Sequence, residues 1–462
     1  MTQRGVRTIT EPARELPVLL ETDVVVAGGG TTGPVAAIAA ARLGVRTVLV
    51  ERFGSLGGIV TLGLNSKPSG PLTGGLPREI WNIARQHGAA GEDYTATLKN
   101  GSVKLTSPSD PEMMKILLAR MCADAGVEIL FECVAAAPIM DGRTVKGVII
   151  EGKGGRQAIL SKVVIDCSAD ADLAAQAGAP FVVGDGNDVM QPVTMYFKMG
   201  NVDLERLAEW ARAHPEHVAD RFISETDTAY GLWLTGFTTL LKAFQARTGI
   251  KLQRENITLK TANGEMYVNA TRVIGASGLS PIDISRSIME CYRQIEAYAR
   301  FLKEDVPGFE HAYVSGIAPI LGVRETRHIV GEYTLTEKDI VSRKRFDDSI
   351  AVDAAMLDVH DPKGSDVRIG DQLSYEIPYR CLVPQKVEQL LVAGRSISAD
   401  HAAHARTRNI PACMATGQAA GIAAGIAIKE ETPVRRVPVP KVQQVLRGLG
   451  MPIKIEEYTE VA

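Results

Sequence analysis

A strand, a glycine-rich turn, a helix and a second strand follow one another near the start of the chain, and this arrangement constrains the fold more than any other feature. The β-branched run at residues 23–27 predicts a buried parallel strand. The alanine-rich run at residues 31–43 predicts a helix, and residues 45–50 predict a second strand. Together they predict a βαβ unit of about thirty residues, which indicates an α/β protein.

The turn after the first strand has the spacing G-x-G-x-x-G, formed by Gly28, Gly30 and Gly33. The first glycine allows a tight turn, the second lets the backbone approach a pyrophosphate, and the third lets the helix pack closely on the strand. The helix N-terminus offers free N–H groups and a positive dipole end to phosphates. Glu51, at the tip of the second strand, can accept hydrogen bonds from an adenosine ribose. The pattern predicts a dinucleotide site, with a bare structural βαβ unit as the alternative.

Charge and composition exclude several classes of partner. A net charge of −3 over 462 residues gives no electrostatic reason to expect nucleic acid or an anionic membrane surface. Charges at Arg4, Arg7 and Glu11 interrupt the N-terminal residues, so a secretory signal is not expected. The six cysteines include no C-x-x-C pair, which favours reduced thiols in the cytoplasm. The apolar run at residues 412–428 is short and rich in small residues, which favours a buried helix over a membrane span.

The order of patterns along the chain predicts a domain interrupted by an insertion. Residues 1–22 are expected to form an N-terminal arm, and residues 23–185 the first part of the nucleotide-binding domain. Residues 186–385 mix helix and strand patterns without a second glycine motif, which predicts a substrate or cap domain. Residues 386–430 return to the first domain, and residues 431–462 form a C-terminal helix and tail.

Individual elements are predicted from caps and periodicity. Asp110 as N-cap and Pro111 at the first helical position predict a helix over residues 110–125. Residues 53–77 are dense in Gly, Pro, Ser and Thr and predict a long loop, which in a compact domain is usually functional. The remaining predicted elements are strands at 127–132, 145–151, 157–160, 162–166 and 389–393, and helices at 410–429 and 441–450.

Several longer segments add a family resemblance to these patterns. They are GGGTTG, ERFGSLGG, VVIDCSADADLA, PGFEHAYV, LGVRETRHIVGEYTLT and LLVAGRSISADHAAHARTRNIPACMATGQAAGIAA, and they span nearly the whole chain. In them the chain resembles the FAD-dependent oxidoreductases of the glutathione-reductase-like fold, most of all the branch of the fumarate reductase and succinate dehydrogenase flavoproteins. The resemblance implies an α/β Rossmann-like FAD-binding domain, an inserted α+β substrate domain, and non-covalently bound FAD.

The resemblance also implies which residues contact FAD. The chain reads C-S-A-D where the family has A-T-G-D, so Ala169 replaces the expected glycine. The helix that begins near Pro411 would direct its N-terminus at the flavin pyrimidine ring and stabilise negative charge there. The implied FAD-binding residues are Gly28, Gly30, Thr31, Thr32, Gly33, Glu51, Arg52, Gly57, Gly58, Val134, Asp166, Ala169, Asp170, Gly394, Arg395, Pro411, Met414 and Ala415.

The polar segment SADHAAHARTRN, between the last strand and the flavin-facing helix, holds the main catalytic candidates. An imidazole can move a proton near neutral pH, and a guanidinium can hold a carboxylate through two hydrogen bonds. The segment contains His401, His404, Arg406 and Arg408; alternatively, these groups bind FAD phosphates or cap the helix. A metal site at the two histidines is not expected, because the only acid nearby in sequence is Asp400.

A second polar segment, GVRETRH, holds Arg324, Arg327 and His328. Cations three residues apart are typical of a solvated helix face, whereas the resemblance implies a position near the flavin. Tyr267 and Asn269 are weaker candidates. The residues predicted to be catalytic are His401, His404, Arg406 and Arg324.

Missing motifs narrow the chemistry. Residues 53–65 contain no cysteine pair of the disulfide-reductase kind, and the first histidine is His87, so a covalent flavin near the ribose acid is not expected. The sequence predicts an FAD-dependent oxidoreductase that moves a hydride between flavin N5 and a small, polar, anionic substrate, with an unidentified electron donor or acceptor. The alternatives are a flavin monooxygenase or oxidase, a non-catalytic FAD-binding protein, and a single-site NAD enzyme. A homo-oligomer is compatible with the sequence but not required by it.

Overall fold

The computed structural model describes residues 8–97, 103–360 and 367–458. The first strands are β1 (Val18–Ala27), β2 (Thr47–Val50), β3 (Tyr94–Thr97), β4 (Val103–Thr106), β5 (Val127–Leu130), β6 (Val134–Asp141), β7 (Thr144–Gly152), β8 (Gly155–Asp166), β9 (Phe181–Val183) and β10 (Phe197–Gly200). The later strands are β11 (Val218–Ile223), β12 (Leu232–Gly236), β13 (Ile257–Ala262), β14 (Glu265–Asn269), β15 (Tyr313–Ile317), β16 (Arg327–Ile329), β17 (Ser349–Asp353), β18 (Met356–His360), β19 (Val367–Gln372), β20 (Tyr375–Pro378) and β21 (Leu390–Val392). The helices are α1 (Gly33–Ala41), α2 (Gly75–Gln86), α3 (Pro111–Asp124), α4 (Asp172–Gln176), α5 (Leu204–Ala213), α6 (Thr238–Thr248), α7 (Pro281–Asp305), α8 (Glu337–Val341), α9 (His401–Thr407), α10 (Ile410–Lys429) and α11 (Val439–Gly448).

The largest sheet has seven strands in the order β5-β2-β1-β8-β7-β6, with β21 also paired to β8. Strands β5, β2, β1, β8 and β21 run parallel, while β7 and β6 extend the sheet as an antiparallel meander. Ala27 at the end of β1 pairs with Val50 on one side and Asp166 on the other, and Asp166 also pairs with Val392. The carboxyl ends of four parallel strands therefore meet at one edge, which is where open α/β sheets bind ligands.

Helix α10 packs against α1 through glycines that recur every fourth residue and so share one helix face. A Cβ on Gly421 would lie 2.1 Å from the carbonyl oxygen of Ala36, and one on Gly425 would lie 2.7 Å from the side chain of Leu43. Only glycine permits this approach of the two helices. Within the described part of the chain, α10 is the one helix long and apolar enough to cross a membrane, and its apolar window is entirely buried inside the protein.

A second sheet of six antiparallel strands has the order β11-β12-β13-β14-β10-β15. Buried side chains between Met195 and Ala318, including those of α6 and α7, form the hydrophobic core of this sheet, and Leu64 packs into the same core. Side chains in residues 335–383 pack instead into the core around α1 and α10. The packing thus places the second core in a shorter span than 186–385, while the division into domains remains a prediction.

Several sequence predictions of local structure are confirmed. The predicted helix at 410–429 is α10, and the predicted helix at 110–125 is α3. Asp110 caps α3 by accepting a hydrogen bond from the N–H of Glu112 at 2.8 Å. Pro111 follows in the first turn, where its missing N–H costs nothing.

Other predicted elements differ from the structure. Strand β1 already begins at Val18, so residues 18–22 belong to the sheet and not to an arm. Residues 155–166 form one strand rather than two, because β1 pairs with it from Ala158 through Ser161 to Asp166, while β7 pairs with its first half. Helix α2 starts inside the stretch predicted as loop, where Gly and Pro hid an amphipathic helix that buries Ile80 and Trp81. Arg327 lies on β16, so the helical spacing assumed for its segment was wrong.

Candidate dinucleotide and substrate site

The glycine turn after β1 has a different contact at each glycine. Gly28 has φ +102°, and a Cβ there would lie 2.5 Å from the carbonyl oxygen of Cys167. A Cβ on Gly33 would lie 1.8 Å from the carbonyl oxygen of Gly28, so the first turn of α1 packs directly on the strand end. Around Gly30, in contrast, no atom lies within 4 Å of a Cβ position. The turn therefore leaves open space beside the N-terminus of α1 at the glycine where a pyrophosphate is expected, and the residues fit a dinucleotide.

Glu51 sits at the end of β2, next to this turn, and is only 6% exposed. Its carboxylate accepts hydrogen bonds from the N–H of Gly29 at 2.5 Å and of Phe53 at 2.9 Å. Burial raises the pKa of Glu51. Two backbone donors fix the acid at the place predicted for a ribose contact.

The loop after β2 returns to the glycine turn. The N–H of Gly57 donates to the carbonyl of Gly29 at 2.9 Å, and the Thr31 hydroxyl donates to the carbonyl of Gly57 at 3.1 Å. A Cβ on Gly58 would lie 2.9 Å from the Cα of Gly30. The predicted residues Thr31, Gly57 and Gly58 thus lie together beside the open space at the turn.

Arg52 and Val134 lie further out. Arg52 is exposed and stacks 4.9 Å from the centre of the Phe53 ring. Val134, at the start of β6, has an exposed side chain, but the N–H of the preceding Cys133 donates to the carbonyl of Glu51 at 3.1 Å. The backbone at Val134 is therefore close to the predicted ribose acid.

Asp166, at the end of β8, has no exposed surface, and both carboxylate oxygens are engaged by the protein. One oxygen accepts from the N–H and hydroxyl of Ser168 at 3.0 and 2.6 Å, and the other from the N–H groups of Leu173 and Ala174. Burial raises the pKa of Asp166. These contacts hold the turn into α4, so Asp166 shapes the strand end, and its predicted contact with FAD stays a prediction.

Arg395 connects two strand ends to the segment that precedes β16. Its guanidinium donates to the carbonyl of Ala169 at 2.8 Å, to the carbonyl of Val323 and to the carboxylate of Asp170. Ala169 has φ +71°, the left-handed conformation that the family's glycine adopts more easily. The hydroxyl of Thr326 also donates to Asp170, at 2.6 Å. Arg395 and Asp170 thus fix the local architecture of the site.

The N-termini of α1 and α10 meet at the end of β21. The N–H of Gly394 donates to the hydroxyl of Thr416 at 3.1 Å, and a Cβ on Gly394 would lie 2.6 Å from the hydroxyl oxygen of Thr32. Asn409 precedes α10 as N-cap without a side-chain capping bond, so the first turn keeps free N–H groups. The remaining predicted residues, Pro411, Met414 and Ala415, lie buried in the first turns of α10.

The GVRETRH segment is extended and links the glycine turn to the second sheet. Gly322 exchanges two backbone hydrogen bonds with Thr194, at 2.7 and 3.1 Å. A Cβ on Gly322 would lie 3.6 Å from the side chain of Ile59, in the loop next to Gly58. Because successive side chains of an extended segment point to opposite sides, Arg324 and Glu325 reach two different clusters.

The first cluster surrounds Glu325, which has no exposed surface. One carboxylate oxygen, Oε1, lies 2.7 Å from Nδ1 of His401, 3.2 Å from Nε2 of His328 and 3.6 Å from Nδ1 of His404. Burial raises the pKa of Glu325, but the favourable interactions of its carboxylate with the surrounding histidines, His328 and His401 first, outweigh burial and lower it. The hydrogen bond to Glu325 raises the pKa of His401, whereas burial lowers that of His404 well below its ordinary value. The predicted His401 and His404 are thus joined by an acid from another part of the chain.

The second cluster contains three arginines and one carboxylate. Arg408, just before the N-cap of α10, donates to the carbonyl and carboxylate of Asp358 at 2.6 and 3.2 Å. Arg254 donates to the side chain of Asn269 at 2.7 Å. Burial and the charge of Arg408 lower the pKa of Arg324. Burial raises the pKa of Asp358, but the surrounding cations hold it well below its ordinary value. The cluster therefore has more positive than negative charge.

Arg406 contacts the segment between β17 and β18. It is 4% exposed and donates to the carbonyl of Ala355 at 2.8 Å. Its charge also acts on Asp353, whose pKa burial raises to about 6. The substrate contact expected of Arg406 stays a prediction.

Sequence reasoning missed several members of these clusters. Glu325 stands between two arginines in a segment already selected, but its partners come from α9 and could not be inferred from spacing. Arg254 carried no local signal. Asp358 and His360 lie on β18, in the region predicted as cap domain, and only the fold brings Asp358 to Arg408.

The glycine turn, the buried acid and the parallel strand ends define an α/β protein with a Rossmann-like dinucleotide site. Residues 23–446 match the family of FAD dependent oxidoreductases. The chain belongs to this family of enzymes, and FAD is its cofactor.

No curated protein sequence matches the chain. Similar solved structures include a geranylgeranyl bacteriochlorophyll reductase-like protein from Thermoplasma acidophilum, with 14% identity, a TM-score of 0.49, and coverage of 93% of this chain and 84% of that one. A flavin-dependent brominase has 13% identity and a TM-score of 0.48 over 93% and 83% of the two chains. The p-nitrophenol 4-monooxygenase of Pseudomonas putida DLL-E4 has 10% identity and a TM-score of 0.48 over 95% and 88%. Similarities of this size carry no functional argument.

Proposed function

We propose that this FAD-dependent oxidoreductase acts on a small anionic substrate by hydride transfer, and that the arginine cluster at the N-terminus of α10 binds the anion. The observation that carries the proposal is that Arg408 hydrogen bonds to the carboxylate of Asp358, while Arg254 and Arg324 lie near enough to interact electrostatically with the same carboxylate. Arginine pairs with carboxylates through a planar fork of donors, which suits recognition of a small organic acid.

The electrostatics of the cluster support an anion. Burial lowers the pKa of Arg254 as well as that of Arg324, so both guanidinium charges are held at a cost in desolvation. A bound carboxylate would offset that cost by adding a negative charge at short range. The uncapped N-terminus of α10 adds a positive partial charge at the same place.

The surroundings of the cluster offer groups that orient a polar ligand. Tyr196 and Asn269 approach it from the second sheet, and the hydroxyl of Thr194 donates to Asn269 at 3.3 Å. Burial lowers the pKa of His360 to about 3, so this imidazole is neutral at pH 7 and can accept or donate one hydrogen bond. When bound, FAD supplies the two-electron chemistry, and the chain contributes binding, orientation and charge.

We also infer a glutathione-reductase-like fold, in which the six-stranded sheet, residues 195–318, is an inserted substrate domain. Its support is the position of the arginine cluster. Arg254 lies just before β13 and bonds to Asn269 on β14 of the six-stranded sheet, whereas Arg408 lies between α9 and α10.

Anion binding can be tested before the substrate is known. We would titrate the FAD-loaded protein with small mono- and dicarboxylates and with the matching uncharged amides, following the flavin absorbance spectrum. Saturable changes with the acids alone, weakened by salt, are expected. Replacing Arg324 by Gln should weaken binding about ten- to a hundred-fold, because a hydrogen bond to a charged group contributes roughly 1.5–3 kcal/mol.

The exposed Arg212, in the last turn of α5, provides the control, and Arg212→Gln should bind acids like wild type. Equal affinity for acids and amides, or no change in Arg324→Gln, would refute the anion site. The reaction type is then tested by reducing the bound flavin under anaerobic conditions, admitting air and following the rate at which the flavin is reoxidised. Slow reoxidation supports a dehydrogenase, whereas fast reoxidation would assign an oxidase or monooxygenase instead.

A further inference from the structure

We propose that Glu325, His328 and His404 bind a divalent transition-metal cation, with His401 covering the site on the solvent side. The ligand atoms of the first three residues all lie within 4.8 Å of one another, and all three side chains are buried. His401, 26% exposed, lies against the same carboxylate oxygen at 2.7 Å. This site is separate from the arginine cluster and does not depend on the proposed substrate.

The tautomer of His328 favours a cation between its Nε2 atom and the carboxylate of Glu325. Its Nδ1 lies 3.1 Å from the carbonyl oxygen of Ala399, which can only accept a hydrogen bond, so Nδ1 carries the proton. In a neutral imidazole Nε2 then presents a lone pair, and it faces the carboxylate oxygen of Glu325 at 3.2 Å. Two lone pairs at this distance repel each other unless a proton or a metal cation lies between them.

His404 shows that a single proton does not satisfy the cluster. It is 1% exposed, and among the described residues neither of its ring nitrogens has a hydrogen-bond partner. Its ring centre lies 4.1 Å from that of His328, and Nδ1 lies 3.6 Å from the Glu325 carboxylate. Buried polar atoms in proteins are normally partnered, and a cation would give this imidazole a partner.

The outer contacts match those around metal-bound histidine and carboxylate. Metal-binding imidazoles usually donate their second N–H to a carbonyl or carboxylate, as His328 does to Ala399. The other oxygen of Glu325, Oε2, accepts from the N–H of Gln191 at 3.3 Å, which orients Oε1 towards the histidines. Both ligands are thus held in place by the backbone.

The donor set indicates the class of metal. Two imidazoles and one carboxylate suit Zn²⁺, Fe²⁺ or Co²⁺ better than Mg²⁺ or Ca²⁺, which prefer oxygen ligands. Such an ion would join the extended segment carrying Glu325 to α9, and so would fix the loop that also positions Arg324.

The experiment measures metal directly in the FAD-loaded protein. After dialysis against a chelator, the protein is titrated with Co²⁺, followed by its visible d–d bands, and with Zn²⁺ in competition. We expect one equivalent per chain, displaced by Zn²⁺. The variants Glu325→Gln and His404→Gln should each weaken binding at least about a hundred-fold, since they remove a ligand rather than a supporting contact.

The exposed His87, at the end of α2, provides the matched control, and His87→Gln should bind one equivalent like wild type. Retention of FAD shows that each variant is folded. Absence of saturable binding at one equivalent in the wild-type protein would overturn the proposal, and so would unchanged binding in folded Glu325→Gln. The wild-type titration decides the matter even if a variant fails to fold.

Discussion

Replacing Gly30 with alanine should separate folding from cofactor binding. Gly30 is the glycine of the turn at which no atom lies within 4 Å of a Cβ, and its φ is outside the left-handed region. We expect the Gly30→Ala apoprotein to be as stable as wild type, or up to about 1 kcal/mol more stable, because alanine loses less backbone entropy on folding. The added methyl group would occupy the space beside α1 that the pyrophosphate of FAD must approach.

The size of the effect follows from the contacts at neighbouring glycines. Forcing an extra carbon into a close contact costs about 1–3 kcal/mol, which corresponds to FAD binding weakened roughly five- to 150-fold. Gly33→Ala is the variant for comparison, because a Cβ at that position would lie 1.8 Å from the backbone oxygen of Gly28. That contact involves backbone on both sides, so the apoprotein itself should lose more than about 3 kcal/mol of stability.

Both effects can be measured on protein stripped of FAD. Urea unfolding followed by circular dichroism gives the stability of each apoprotein, and quenching of flavin fluorescence during titration gives the affinity for FAD. The reasoning fails if Gly30→Ala destabilises the apoprotein as much as Gly33→Ala does. It also fails if Gly30→Ala binds FAD with wild-type affinity.

Three further predictions concern packing, pH and the strand ends. Gly421→Ala should destabilise the protein, because overpacking costs about 1–3 kcal/mol and the gain in helix propensity returns only about 1 kcal/mol. Gly448→Ala should not destabilise it, because no atom lies within 4 Å of a Cβ at that position. Urea unfolding compares the two variants, and equal stabilities would contradict the packing argument. Burial raises the pKa of Asp353 to about 6 from 3.8, so the neutral acid favours the folded state, and its contribution is full below pH 3.8 and lost as pH rises through 6. Asp353→Asn should abolish this change of about 3 kcal/mol in the free energy of unfolding between about pH 3 and pH 7, and an unchanged pH profile would refute it. Arg395→Ala should cost about 2–3 kcal/mol of stability, less than the loss of a fully buried ion pair, because the side chains of Arg395 and Asp170 keep 18% and 16% exposure. Arg395→Lys should restore only part of this stability, since lysine lacks the planar fork of donors. Thermal unfolding of the apoproteins tests both variants, and full recovery with lysine would exclude the three-acceptor geometry.

The nucleotide-binding half was accessible from sequence because its signals are local. Gly28, Gly33 and Glu51 act through contacts with their immediate chain neighbours or the adjacent strand, so type and spacing were enough to infer their environment. Asp166 shows the limit of this reasoning. The sequence marked it correctly as the end of a strand, but spacing could not show that its oxygens accept hydrogen bonds from Ser168 and from the backbone of α4.

The candidate catalytic residues show the same limit more strongly. His401 and His404 were selected for their chemistry, and Arg406 was selected with them. On α9, however, His401 and His404 lie three residues apart and share one face, while Arg406 faces Ala355. Helical periodicity could separate these faces, but it could not show which face meets the site.

The sequence by itself determined the class of protein, the cofactor and most of the first sheet, because a βαβ unit records its strand, turn and helix in consecutive residues. Only the tertiary structure decided which charges meet. Glu325 reaches His404 across the fold, and Arg254 reaches the cluster of Arg408 from the connection between α6 and β13. The physical reason is that ion pairs and metal ligands depend on distance in space, and residues far apart in the chain carry no mark of one another until the hydrophobic cores have packed.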